Sequence, residues 1–402
     1  MTITLMRFLD RYGGKIVIFL LVLWDTLARI VRPRRNPRDP ADVRVIVVEK
    51  FFGIGSIVNA VPLLGRLKEH YPNARIIFVT FSSHKNFFDV VKLADETLYI
   101  NPANVLGFII DNFAVLWALR RKKADICVDL EFFSKYSMIF SFLTGAKIRA
   151  GFFSYFNVRS ALLTHPTAFN HYKHISRAYL AMYEALSGDR IDGEQHEITL
   201  PSFLGSHSER LKELLGGDNG KPYIAVNVNA SALCTFRRWP TARFVQLLDA
   251  LRKRQPDTQF VFIGAPGEKP YVDGVIGLLR EGHGVINAAG RTDIPLLLAL
   301  LEKADLLISN DSGPVHLAAA YKTRTLVLFG PETPVLYRPL NENAMVLYKH
   351  LYCSPCINVL DNKSFEECAN VACLESISVE EALQALERLG VGQNRNEKYL
   401  AG

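Results

Sequence analysis

The chain has 402 residues, 49% of them hydrophobic and 22% charged, which is long and apolar enough for two globular domains with full cores. Its formal charge is +7, but residues 1–40 hold eight Lys/Arg against Asp10, Asp25 and Asp39. The remainder is only slightly basic, so composition gives no electrostatic footprint for a nucleic-acid partner. Internal repeats and low-complexity tracts are absent.

In chain order, the first element is the unbroken apolar run Ile16–Trp24, whose helical pattern continues to Val31. Asp25 and Arg29 interrupt it, leaving a stretch too short to span a bilayer comfortably, and no small-residue cleavage site follows. A basic cluster from Arg29 to Arg38 comes next, broken by Pro33 and Pro37. Residues 1–40 therefore suit a helix lying in an anionic membrane surface, with Trp24 at the interface. The alternative is a helix packed on the protein's own core and followed by an Arg-rich linker.

Residues 41–195 read as a first α/β domain. Val43–Val48 is a buried strand leading into Glu49-Lys50-Phe51-Phe52-Gly53-Ile54-Gly55-Ser56 and a helix over Ile57–Tyr71. A second strand at Arg75–Thr80, a helix near Asn86–Leu93 and a third strand at Ile126–Leu130, ending at Glu131, continue a doubly wound pattern. The glycine-rich turn lacks the third glycine of a dinucleotide fingerprint, which argues against a nicotinamide cofactor. Downstream, His171, Lys173 and His174 form a basic patch, read either as an anionic-acceptor contact or as a solvated helix start. No third metal ligand accompanies the two histidines.

Residues 196–390 read as a second α/β domain, with 391–402 a polar tail. Strands are expected at Tyr223–Val228, Gln259–Ile263, Ala304–Ser309 and Thr325–Phe329. The third of these runs into Asn310-Asp311-Ser312-Gly313 and a short helix carrying His316. In an open parallel sheet that turn lies at the carboxyl ends of the strands, where ligands bind. Free backbone N–H groups there suit a phosphate, with His316 adding a donor. The plain alternative is an Asp N-cap beside a surface histidine.

The run Asp311-Ser312-Gly313 with His316-Leu317-Ala318-Ala319-Ala320 and Phe329-Gly330-Pro331 resembles the donor-binding signature of glycosyltransferase family 9, the heptosyltransferase-like enzymes. The resemblance covers most of residues 43–386 and is weaker in the first half. It implies a GT-B architecture: two Rossmann-like doubly wound domains facing across a cleft, donor site in the second. Thr235-Phe236-Arg237-Arg238-Trp239-Pro240 is similar to the family's K-R-W-P segment, with Arg237 at the Lys position that contacts the donor diphosphate. Glu268, after the Gly264 turn, matches the family's ribose-binding glutamate.

The family's proposed base is an aspartate whose position is taken here by Ser56, a group of no useful basicity near neutral pH. Glu49 and Glu131 are the substitute candidates. The resemblance further implies inverting transfer from a nucleotide-diphosphate sugar to a lipid-linked or lipopolysaccharide-type glycan, at the cytoplasmic face of a bacterial inner membrane. Lys50, His171, Lys173 and His174 would meet the acceptor. Positive charge from Arg237 and His316 would stabilise the leaving group, with no metal required for catalysis. A nucleotide-sugar epimerase or hydrolase and a catalytically degenerate binding subunit are the other readings.

Cys353, Cys356, Cys368 and Cys373 form C-x2-C-x11-C-x4-C. That spacing fits structural zinc, reduced thiols or a disulfide pair.

Overall fold

A computed structural model describes residues 9–31, 39–154, 157–193, 197–217, 221–230, 234–280, 284–357, 368 and 370–391. The chain divides into two compact units, with the boundary between His196 and Glu197.

Each unit is built on six parallel strands. The first sheet comprises β1 (Val45–Glu49), β2 (Arg75–Phe81), β3 (Glu96–Ile100), β4 (Ile126–Asp129), β5 (Ile148–Phe153) and β6 (His165–Ala168), in the order β3-β2-β1-β4-β5-β6. The second comprises β7 (Tyr223–Asn227), β8 (Gln259–Phe262), β9 (Val285–Asn287), β10 (Leu306–Asn310), β11 (Thr325–Phe329) and β12 (Ala344–Tyr348), in the order β12-β11-β10-β7-β8-β9. Both orders are the same once each unit is counted from its own first strand. The inner strands are near-continuous runs of Val, Ile and Leu because both faces of a parallel sheet are covered. The strand order reverses between β1 and β4 and again between β7 and β10, the positions where an open sheet leaves a crevice. Glu49 pairs in register with Asp129 at the first reversal, and Asn227 with Ser309 at the second.

Ile126–Asp129, expected as the third strand, is the fourth. The strand Glu96–Ile100 and the helix Val105–Lys122 precede it. That helix carries apolar residues around most of its circumference, which blurs the one-sided periodicity that marks a surface helix.

The N-terminal helix runs from Gly14 to Val31 and packs on the first unit. Ile18 is fully buried among Met138, Leu162 and Leu163. A Cβ at Gly14 would lie 2.8 Å from the Lys135 Cβ, so only glycine permits this approach. Asp10 accepts the Tyr136 N–H at 2.6 Å and the Ser134 hydroxyl at 3.1 Å. Asp25, which breaks the apolar run, is buried and pairs with the buried Arg149 at 3.8 Å. The opposite side of the helix exposes Ile16, Phe19, Leu20, Leu23, Trp24 and Leu27. Thus the helix is docked on one face and apolar on the other. Among the described residues, no helix is long and apolar enough to cross a membrane. The basic residues 32–38 lie outside the described residues, as does the polar tail from 392 onward.

Candidate active site

In the second unit, the carboxyl ends of β7 and β10 are tied by amides and hydroxyls. Asn227 donates to Ser309 Oγ at 3.0 Å and Ser312 Oγ at 2.7 Å. Asn310 donates to the carbonyls of Val228 at 2.9 Å and Asn229 at 3.2 Å, and accepts the Trp239 N–H at 2.9 Å. The Trp239 indole is fully buried and donates to the Ile377 carbonyl at 3.0 Å. These bonds fix the Arg237-Arg238-Trp239 segment against the turn that follows β10. Asn227, Asn229 and Asn310 were not singled out from the sequence. The signal for them was an amide closing an otherwise apolar strand.

That scaffold sets the Arg237 guanidinium against the Asp311 carboxylate in an ion pair, the arginine side chain 20% exposed and the aspartate 5%. Glu332 is also buried; against the lowering by burial, the charges of Asp311 and then Glu332 raise the Arg237 pKa. The expected cationic group is therefore flanked by two carboxylates. Arg238 lies 4.0 Å over the Tyr271 ring. His316, expected as a cation, is not one. Burial pushes its pKa down to about 4, with Asp311 opposing and Arg237 reinforcing the shift, so the ring is neutral at pH 7 and acts only as a polar donor or acceptor. Gly313 opens the short helix Gly313–Ala319 that carries it, with Ser312 as N-cap.

Glu268 accepts the Ala265 N–H at 2.7 Å, closing the turn after β8. A Cβ on Gly264 would fall 2.7 Å from Asn229 Nδ2 and 3.3 Å from Glu268 Oε2, so the missing side chain leaves room for both groups beside the turn. Asn229 donates to the Ile263 carbonyl at 3.0 Å while its buried Oδ1 has no hydrogen-bond partner among the described residues. An acceptor oxygen left unmatched beside a carboxylate is a ready partner for a ligand hydroxyl or N–H.

In the first unit, charged groups crowd the β1/β4 reversal. Glu131 Oε1 accepts the Phe51 N–H at 2.7 Å, the Phe52 N–H at 3.1 Å and the Lys50 ammonium at 2.8 Å. Lys50 is 2% exposed and also lies 5.5 Å from the Phe132 ring centroid. It is therefore a partner of Glu131 rather than an open surface contact. Asp129 pairs with Arg159 and accepts the Ser137 hydroxyl at 2.8 Å and the Glu131 N–H at 2.9 Å. His84, 2.9 Å from the Thr80 hydroxyl, is pushed down to about 4 by burial and then by Lys50.

Glu49 has no exposed surface, and neither carboxyl oxygen has a hydrogen-bond partner among the described residues. Burial first, and the Asp129 charge second, hold its pKa well above the usual carboxylate range. Burial raises Asp129 as well, to about 6, while Arg159 opposes. Asp129, touching Arg159, is the more readily ionised of the two. With no exposed surface, the Glu49 carboxyl has no open path to an acceptor hydroxyl. Ser56 lies within the helix Ile54–Val58 and is partly exposed.

Of the basic patch, His171 is exposed and Lys173 half-buried. His174 is 8% exposed, and its Nδ1 accepts the Ser176 N–H at 3.1 Å, capping the helix Ile175–Ser187. This is the helix-start role that the sequence also offered for it.

Cys353, Cys356 and Cys368 are exposed and Cys373 is buried. Burial raises the pKa of Cys356 and of Cys373, and the nearby thiols add to the shift. Among the described residues no three His, Cys, Asp or Glu side chains converge to hold a metal ion, and residues 358–367, between Cys356 and Cys368, lie outside them.

Two doubly wound parallel-sheet units are the architecture of GT-B proteins. Solved structures share it: the family 9 glycosyl transferase of Veillonella parvula, at TM-score 0.70 and 23% identity over 87% of this chain and 98% of that one, and the ADP-heptose lps heptosyltransferase II of Escherichia coli, at TM-score 0.69 and 19% identity over 86% and 98%. Residues 113–365 match the model of glycosyltransferase family 9 (heptosyltransferase), and the chain belongs to that family. It is a glycosyltransferase. Lipooligosaccharide heptosyltransferase 2 of Campylobacter jejuni is 26% identical over 76% of this chain and 86% of its own length. Lipopolysaccharide heptosyltransferase 3 of Escherichia coli is 24% identical over 83% and 95%.

Proposed function

We propose that the protein transfers a sugar, heptose-like or other, from a nucleotide-diphosphate donor to a lipid-linked, lipopolysaccharide-type glycan, inverting the anomeric centre. The observation that carries this reading is the Arg237–Asp311–His316 constellation beside Asn229 and Glu268, in a family whose relatives are named as heptosyltransferases of lipopolysaccharide and lipooligosaccharide. Arg237 takes up the charge of the departing diphosphate, where its planar fork meets phosphate oxygens in pairs. Glu268 and Asn229 receive the ribose hydroxyls. An acceptor hydroxyl attacks the anomeric carbon as the bond to the diphosphate breaks, and a carboxylate base takes its proton.

Glu131 is the choice because Glu49 is closed off and Ser56 lacks basicity. In this reading the enzyme works as a peripheral protein on the cytoplasmic face of the inner membrane. The deciding experiment is a transfer assay with ADP-heptose and other nucleotide sugars against truncated lipopolysaccharide. Product whose glycosidic bond inverts the donor configuration, lost with Asp311→Ala, is expected. Donor turnover without an acceptor would replace transfer by hydrolysis.

A further inference from the structure

The N-terminal helix is not the first unit's only exposed apolar surface. The helix Val105–Lys122 buries Val115 and Leu119, and packs Phe108 and Leu116 against the same core. Its other side exposes Leu106 (69%), Ile109, Ile110, Phe113 (71%) and Trp117 (62%). These recur at three- and four-residue intervals, so they form one stripe. Exposed side chains of this size seldom line up on a soluble surface without a partner.

Helix Lys135–Leu143 touches both of the helices that carry the stripes. Its Tyr136 hydroxyl donates to Asn112 at 3.0 Å and its ring lies 5.3 Å from Phe108. Its Met138 packs on Ile18 of the N-terminal helix. Val105–Lys122 and Lys135–Leu143 are successive crossovers, β3 to β4 and β4 to β5, which the right-handed rule puts on the same side of the sheet. Val105–Lys122 and Lys135–Leu143 therefore share one helical layer, the N-terminal helix packs on the second of them, and each stripe lies on the side of its helix away from the buried residues.

Charge identifies the occupant. Arg120, Arg121, Lys122 and Lys123 cluster at the carboxyl end of the second stripe, with Arg121 4.6 Å over the Trp117 ring. Lys122 is paired with Glu96 at 3.0 Å. Arg120 donates to the Leu143 carbonyl. The N-terminal helix adds the exposed Lys15 and, in sequence, the basic cluster beyond it. Apolar stripe, interfacial tryptophan and cationic rim are the elements of an interfacial helix on anionic lipid.

We propose that the helix Val105–Lys122 is a second membrane-contact element, and that its stripe and that of Gly14–Val31 seat the first unit on an anionic bilayer surface. This deepens the reading of a lipid-linked acceptor and rests on it only for purpose.

The chain's three tryptophans make the test direct. Trp24 and Trp117 mark the two stripes, and Trp239 is buried. In Trp24→Phe full-length protein, bromine-labelled phosphatidylcholine/phosphatidylglycerol vesicles should quench Trp117. Phe113→Glu should lower affinity for those vesicles at least tenfold relative to pure phosphatidylcholine controls, with the thermal melt unchanged. The proposal is overturned by unquenched Trp117, by a loss below threefold, or by a dimer that Phe113→Glu dissociates in sedimentation. A nucleotide-diphosphate thermal shift, read on the same samples, reports the donor site separately. Its absence would count against the glycosyl-transfer reading while leaving the vesicle result standing.

Discussion

Arg237 and Asp311 form an ion pair at the end of β10, so the arginine placed to receive a diphosphate already holds a carboxylate. With Glu332 acting on the same guanidinium, the anionic groups outnumber the cation before any donor arrives. Removing Arg237 strands a buried aspartate. Arg237→Met should cost about 2–3 kcal/mol in unfolding free energy, below the roughly 3–5 of a fully buried pair because a fifth of Arg237 is exposed. Urea denaturation measures this, and a variant as stable as the parent would contradict it.

Glu332→Gln removes one of the two carboxylates acting on Arg237. Nucleotide-diphosphate affinity should rise about three- to tenfold by calorimetry, the order expected for one partly screened charge. Unchanged or weaker binding would show that Glu332 does not oppose the ligand.

His316 contributes polarity rather than charge. With a pKa near 4, it stays neutral from pH 8 to pH 5, so its protonation adds nothing to diphosphate binding over that range. His316→Gln, which keeps a neutral donor, should bind within about threefold of the parent, and His316→Ala about tenfold more weakly. Affinity that climbs towards pH 5.5 in the parent but not in His316→Gln would refute the neutral ring. Because the folded pKa is depressed, the unfolded chain takes up this proton first. Its contribution to stability is therefore lost as pH falls from about 6.5 towards 4.

Glu49 carries the opposite sign. Its folded pKa lies above the unfolded value, so its contribution to stability is full below pH ~4.5 and declines as pH rises through the folded pKa. Glu49→Gln mimics the protonated acid in shape and should flatten that decline, raising stability at pH 8 relative to the parent. Thermal melts across pH 4–8 test this. Parallel curves for the two proteins would mean that Glu49 is ionised in the fold.

For catalysis, Glu131→Gln should reduce kcat by 10²–10⁴-fold, the usual span for loss of a general base. Ser56→Ala should change it less than about threefold. The reverse ranking in a steady-state transfer assay would return the role to the glycine-rich turn.

The alternation of apolar strands with helical stretches was enough to read the two-unit α/β plan and the polar turn after β10, because a parallel sheet must be apolar on both faces. Long-range pairing was not legible. Nothing local in Lys50 or Glu131 announces that they touch, since they sit on neighbouring strand ends 81 positions apart in the chain. His316 looked cationic because sequence shows residue type and not burial. His174 was readable as an acceptor contact or as a helix start, because sequence does not show which partner a ring nitrogen finds; the structure shows its Nδ1 capping the helix. Val105–Lys122 was passed over because its exposed face is as apolar as its buried one.

The docking of the N-terminal helix bears on any attempt to shorten the protein. Cutting the chain ahead of the first strand, a natural way to gain solubility, would withdraw the Asp25 carboxylate from Arg149 and lift Ile18 off Met138, Leu162 and Leu163. The trimmed protein would exchange one oily surface for another, with a guanidinium deprived of its counter-ion. Replacing Phe19, Leu23 and Trp24 by polar residues on the outer side, with the inner side left whole, is the sounder route to a soluble enzyme.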